Sequence, residues 1–437
     1  MVAEHLLNQP MRIILTVFAF IISLTTYAQE AQSLLFRVGK LYDSQKKTFL
    51  TNQQILISDG IIQQVGTNVK KPKGVKEIDL NGCTATPGLI DMHTHLVFNQ
   101  KQTKTSEGFN NASKIPSQER IAQGLKLAQS CLEAGITTSR DLGNSGQYLD
   151  IKLQKELSTK KGSLTMFVSG PILSGPGGQF SKLAPADTFL IDQEYSIIRN
   201  TQDAKKAVDA HAQHGVNVIK VCADTDHGLL KKELLTAIVE ASKSHGLTVT
   251  AHTNSDKAAR NAILAGVNGI EHGYTLSDST IQLMAERHVY LVPTDISRKQ
   301  GKIMIDGIGM KGKEADDYLE SNLQGMHDRL KRAVTRGVSI VFGSDYYLDI
   351  EGLDRGKSSV DVLVSYYEAG IPVAEVMQYA TVNPAKVLRA ENQIGAIRKG
   401  MKADVVFFEG DLEQDFAATL SQPKMVVKDG VLLSKSH

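Results

Sequence analysis

Four histidines, one lysine and one aspartate in this chain stand where short apolar runs come to an end. His93 and His95 close the run from Leu89 to His95, Lys220 lies in Val216 to Cys222, and His252 in Thr248 to Thr253. His272 lies in Gly269 to Tyr274, and Asp345 ends Ser339 to Asp345. Imidazole and carboxylate suit zinc or another first-row divalent ion, and no cysteine is placed to join them, which points to an open catalytic site rather than a closed structural one. The lysine needs its own explanation, because an ammonium beside metal cations is repelled. Its carbamate, made by addition of CO2, is an anion able to bridge two ions about 3.5 to 4 Å apart. A Schiff-base lysine is the alternative chemistry for the same position.

These six positions require elements that bring strand ends together. Between roughly residues 87 and 399, short apolar strands alternate with amphipathic helices, which argues for a parallel sheet and, with eight repeats, a (β/α)8 barrel. Eight runs fit: the five just given, with Thr137 to Leu142, Thr165 to Ile172 and Tyr290 to Thr294. The C-terminal ends of such strands are where a barrel builds its site. Period-two alternation turns His93 and His95 the same way, inward, with Asp91 one layer below, and sets His252 in line with Thr250. Gln213-His214-Gly215 and Ser244-His245-Gly246 read as helix ends, and His211, His288 and His327 as solvated or capping residues in or beside helices. The stretch Gly175-Pro176-Gly177-Gly178-Gln179 is loop punctuation without the GK[ST] of a phosphate cradle.

Both flanks have hairpin texture. Asp59-Gly60 and Asp429-Gly430 sit between alternating apolar runs, so residues 29–86 and 400–437 are expected to form one small, discontinuous β-sandwich domain beside a barrel of residues 87–399. Arg12, the apolar stretch Ile13 to Leu24 and Thr26-Tyr27-Ala28 read as an export signal over residues 1–28, the apolar run falling short of the roughly 20 residues of a spanning helix. A periplasmic or secreted chain is expected, with no membrane span once the signal is removed. Cys83, Cys131 and Cys222 are three, far apart and without CxxC spacing, and read as buried free thiols. Of 437 residues, 49 are Lys or Arg and 47 Asp or Glu; a net charge of +2 without a basic run argues against nucleic acid and for a small-molecule substrate. A homo-oligomer stays open.

Pro87-Gly88-Leu89-Ile90-Asp91-Met92-His93-Thr94-His95, Val218-Ile219-Lys220, Ala251-His252, Ile270-Glu271-His272-Gly273 and Gly343-Ser344-Asp345 together resemble the amidohydrolase superfamily, binuclear subtype with a carboxylated lysine. Ile270 to Tyr274 and Tyr290 to Thr294 resemble its imidazolonepropionase-like and Xaa-Pro-dipeptidase-like branch. The resemblance implies two divalent metals, zinc expected: His93, His95 and Asp345 on one, His252 and His272 on the other, with carboxylated Lys220 and a hydroxide between them. It implies hydrolysis of an amide-type bond, in a dipeptide or a cyclic amide, with Asp345 passing the proton to the leaving group. Asp91 and Asp141 are candidates to orient a histidine ligand, whereas Glu271 is expected to face away from His272 and be structural. Where many dipeptidases of this branch have Ala-Tyr after the strand-five histidine, this chain has Thr253-Asn254, which detracts from dipeptide specificity. His227, Tyr274 and Asn254 are the expected substrate contacts. A metal-dependent esterase, lactonase or organophosphate hydrolase, a Schiff-base lyase, and a metal-stabilised binding protein are the other classes the residues admit.

Overall fold

The computed structural model describes residues 33–102 and 107–433; the expected export signal lies outside the described residues. The apolar runs become strands Leu89–Thr94, Ile136–Asp141, Thr165–Val168, Val218–Cys222, Thr248–Thr253, Gly269–His272 and Tyr290–Val292. They pair in parallel, the first three in sequence and the last four in sequence. The third strand stops at Val168, and a separate Ile172–Ser174 follows beyond Ser169-Gly170-Pro171, where proline has no N–H to give. Asn217 N–H donates to Val168 O at 2.8 Å, and Leu173 pairs with Val221, so both pieces meet the fourth strand. Residues 339–345 occupy the eighth place without forming a regular strand. Ile340 bridges Leu291, Met92 N–H donates to Phe342 O at 2.9 Å, and Asp345 N–H donates to His93 O at 2.7 Å, closing the (β/α)8 barrel onto its first strand.

Helices cover the outside because the strands' outward residues need apolar partners. Val249 and Ala251 share one core with Ala258, Ala259, Ala262 and Ile263 of helix Asp256–Ala265. Full burial of a valine- or isoleucine-sized side chain stabilises by roughly 1.5–3 kcal/mol. That helix starts at Ser255, whose side chain accepts from Ala258 N–H, and ends on Gly266 in the left-handed region at φ 98. Helix Thr201–His214 likewise ends on Gly215, with His214 in its last turn. His211 does not cap and is not solvated: it is fully buried, with Nε2 2.8 Å from Pro171 O and Nδ1 2.7 Å from Ala207 O. Its helix face packs on the broken third strand, whose free carbonyl needs a donor. His288 is exposed, and His327 half-buried.

The chain ends share one seven-stranded sheet, in which Val405–Glu409 pairs with Lys76–Pro87 and Leu34–Asp43 lies on the other side of that strand. The sheet curls over itself. Phe36 stacks on Phe407 at 4.8 Å although their strands are not neighbours, and Ile61 bridges Lys402 across the gap. Both Asp-Gly turns have two successive residues at positive φ, the geometry that matches hairpin twist. Cys83, Cys131 and Cys222 are free and buried. No helix among the described residues is long and apolar enough to cross a membrane.

Candidate metal centre

All six residues marked by their strand-end positions meet at the C-terminal mouth of the barrel. Ligand atoms of His93, His95 and Asp345 lie within 4.8 Å of one another. Asp345 Oδ1 is 3.1 Å from His95 Nε2 and 3.4 Å from His93 Nε2, and its Oδ2 is 3.7 Å from His272 Nδ1. Lys220 Nζ lies 3.2 Å from His93 Nε2. The His252 and His272 rings are 4.6 Å apart, and His272 and His93 5.1 Å. Local backbone makes this possible. His272 and Asp345 both sit in the left-handed region, at φ 65 and 49, which costs a non-glycine residue energy and persists only where packing enforces it.

The outward nitrogens decide whether these rings can take a metal. His95 Nδ1 is 2.8 Å from Gly143 O, which fixes the proton there and leaves the Nε2 lone pair to the centre. His93 Nδ1 faces Glu271 Oε2 at 2.8 Å, an ion-pair contact whose negative charge favours the proton on that nitrogen. His272 Nδ1 is 2.8 Å from Thr294 Oγ1, whose own hydroxyl donates to Pro293 O. The donor set thus fits a divalent metal: imidazole lone pairs and a carboxylate converge, with acceptors behind them. Burial, then the Lys220 charge, pushes His93 down to about 4 and His252 to the same range, and burial lowers Lys220, all favouring the neutral forms that ligate or add CO2. Burial pushes the Asp345 carboxyl up, but His93, His95 and His272 outweigh it and hold it well below the usual range.

The carboxylate behind the centre is Glu271, which alternation placed on the far side from His272. The left-handed turn at His272 breaks the alternation, so both side chains reach the interior. Glu271 Oε1 takes a hydrogen bond from Arg140 at 2.8 Å and another from Thr250, and Arg140 also reaches Tyr290 Oη at 2.8 Å and Met92 O at 2.7 Å. Burial raises the Glu271 carboxyl, yet Arg140 and His93 bring it down to about 2. Asp91 orients no imidazole. Its Oδ1 accepts from the backbone N–H groups of His93 and Ser344, tying the first strand to the closing segment, and burial lifts it to about 7. Asp141 accepts from Leu96 N–H and Thr94 instead, since the histidine rings above it already have nearer partners. Arg329, which no pattern singled out, donates to His272 O at 2.7 Å and pairs with Asp295.

A cavity of about 240 Å³ opens above the centre. Tyr274 and Asn254 line it. Tyr274 Oη lies 3.4 Å from His272 Nδ1 and 3.3 Å from Thr294 Oγ1, and burial of the hydroxyl, then Asp345, pushes it up to about 12. The Asn254 amide is 3.0 Å from His252 Nε2, and Asp224 holds its backbone N–H and that of Ser255. His227 is not on the cavity. Its Nε2 is 2.8 Å from Phe180 O and its ring lies against Gly177, so it braces the glycine-rich loop from behind. The loop's Gln179 lines the cavity in its place.

Residues 84–433 match the model of the amidohydrolase family. The chain is 24% identical over 434 residues to the imidazolonepropionase of Brevibacillus brevis, covering 88% of this chain and 91% of that one. It is 22% identical over 396 residues to the dihydroorotase of Aquifex aeolicus, covering 82% and 85%. Among solved structures, a Xaa-Pro dipeptidase with methionine bound in its active site superposes with a TM-score of 0.78 at 24% identity, covering 92% of this chain and 100% of that one. With a family match over most of the chain, a barrel of that fold and metal-competent histidines at its mouth, the chain belongs to the amidohydrolase family.

Proposed function

We propose that this protein hydrolyses an amide-type bond at a centre of two divalent metals, expected to be zinc. The observation that carries this reading is the convergence of His93, His95 and Asp345 within 4.8 Å, with Lys220 3.2 Å from His93. His93, His95 and Asp345 would hold one ion and His252 and His272 the other, with Lys220, as its carbamate, between them. When bound, such ions acidify a shared water toward neutrality and polarise the scissile carbonyl. The chain's own groups do the rest. Asp345, kept ionised, accepts a proton and returns it to the leaving amine. Glu271 and Gly143 O hold the protons of His93 and His95 on Nδ1. Tyr274 keeps a protonated hydroxyl at the cavity wall as a donor to substrate.

The test is metal content per chain, by elemental analysis of wild type and Lys220→Ala, alongside turnover of an amide panel and a matched ester panel. About two ions per wild-type chain, falling together with amide turnover in the variant, is the expected result. Ester turnover without amide turnover would move the reading to an esterase or lactonase on the same ligands. A wild type without metal after metal-replete growth, with substrate trapped on Lys220 by borohydride, would replace it with a Schiff-base lyase. Export rests on the apolar N-terminal stretch alone; N-terminal sequencing of periplasmic material should begin near Gln29, and an intact Met1 or Met11 there would refute cleavage.

A further inference from the structure

The wall of the cavity carries information that the ligands below it do not. Phe98, Phe109 and Tyr347 form an aromatic surface on it: Phe98 is 5.1 Å from Phe109 and 6.4 Å from Tyr347, ring centre to ring centre. The surface is built in. Gln100–Lys101 pairs with Leu348–Asp349 across the mouth, fixing Phe98 and Tyr347 side by side. The same cavity is lined by two neutral amides, Asn144 and Gln179, bridged by the buried Tyr195. Asn144 Nδ2 donates to Tyr195 Oη at 3.4 Å, and Tyr195 Oη donates to Gln179 Oε1 at 3.2 Å. That chain of bonds uses one polar atom of each amide and leaves the acceptor of Asn144 and the donor of Gln179 without a partner among the described residues. Asn144 is itself 95% buried, its backbone carbonyl gripped by Arg120. Among the described residues, Lys220 at the floor is the sole lysine or arginine on the cavity.

We propose that the substrate is an uncharged amide bearing an aromatic or similarly flat apolar group, and not a free dipeptide or another carboxylate-bearing amide. This rests on the amide-hydrolase reading for the scissile bond, and adds which molecule presents it. An aromatic group gains by stacking on Phe98, Phe109 and Tyr347. One free acceptor and one free donor, held by Tyr195, complement the N–H and C=O of a second neutral amide or urea function. A carboxylate brought into the same space loses its water and, among the described residues, meets no guanidinium or ammonium on the wall, a desolvation cost without a compensating pair. A dipeptide's ammonium fares no better, because Asp345 is committed to the centre. The cavity, with room for about eight waters, matches a molecule of that size.

The probes are N-acetylphenethylamine and N-acetylphenylalanine, which differ only by a carboxylate, and the dipeptide Ala-Phe. Calorimetric titration of the metal-loaded wild type reads binding, and sustained heat reads turnover. At least tenfold tighter binding of N-acetylphenethylamine than of either charged probe is expected. Gln179→Arg, which sets a guanidinium into the neutral wall, should reverse that order. Equal or tighter binding of a charged probe by the wild type, or no binding of the neutral one, would overturn the proposal. Preferred binding without any amide turnover would sink the amide-hydrolase reading and leave only the cavity's selectivity for a neutral aromatic molecule; turnover with carboxylate preference would uphold that reading and overturn the selectivity proposed here.

Discussion

At Glu271 and His272 two adjacent side chains enter the same interior, which a flat strand forbids and a left-handed residue allows. In the proposed centre His272 would ligate and Glu271 would support His93, and both placements follow from one φ of 65. Glu271→Gln should keep the fold and the Arg140 contact while weakening its hold on His93. A loss of about 10- to 100-fold in metal affinity is expected, read by chelator competition. Unchanged affinity would mean that Glu271 serves Arg140 alone. Asp345 has a different signature. If it carries the proton as proposed, Asp345→Asn should lower kcat by about 100-fold or more with a much smaller change in KM, as steady-state kinetics on the amide found active will show. A KM effect as large as the kcat effect would make Asp345 a binding residue.

Elements set the site through their ends and through close approaches. Gly356, near the start of helix Arg355–Glu368, packs so closely on helix Ser117–Glu133 that an added Cβ would collide with the backbone carbonyl of Ser130. Backbone cannot swing aside as a side-chain tip can, so Gly356→Ala should cost about 1–3 kcal/mol in denaturant unfolding. No change would show that the two helices can part freely. Helix Gly312–Thr335 has a longer reach, since it delivers Arg329 to His272 O and to the buried Asp295. Arg329→Met strands that carboxylate in the interior, a loss of about 3–5 kcal/mol, with weakened metal retention as its second readout. Stability loss with full metal retention would confine Arg329 to packing.

At the scale of the whole molecule, strands from distant parts of the chain place the six residues at the mouth, so metal binding at the proposed centre would be coupled to the integrity of the barrel. Ions that bind only the folded state stabilise it by mass action, about 2.7 kcal/mol at a hundredfold excess over Kd. Chelation should therefore lower the Tm of wild type, with recovery on adding metal back, and should leave Lys220→Ala nearly unmoved. Equal shifts in both proteins would place the stabilising ion elsewhere. The residue types at strand ends were legible from the sequence because alternation and helix stops are local, and they determined the barrel, the residues gathered at its mouth and the hairpin texture of both flanks. Sequence could not reveal that His227 lies behind the cavity while Gln179 lines it, that His211 is buried against Pro171 O, or that Glu271 outranks Asp91 as the partner of His93. Those outcomes depend on where one strand breaks and another turns left-handed, and on which loop folds over which. Such choices are made by packing between segments far apart in the chain, and no local pattern records them.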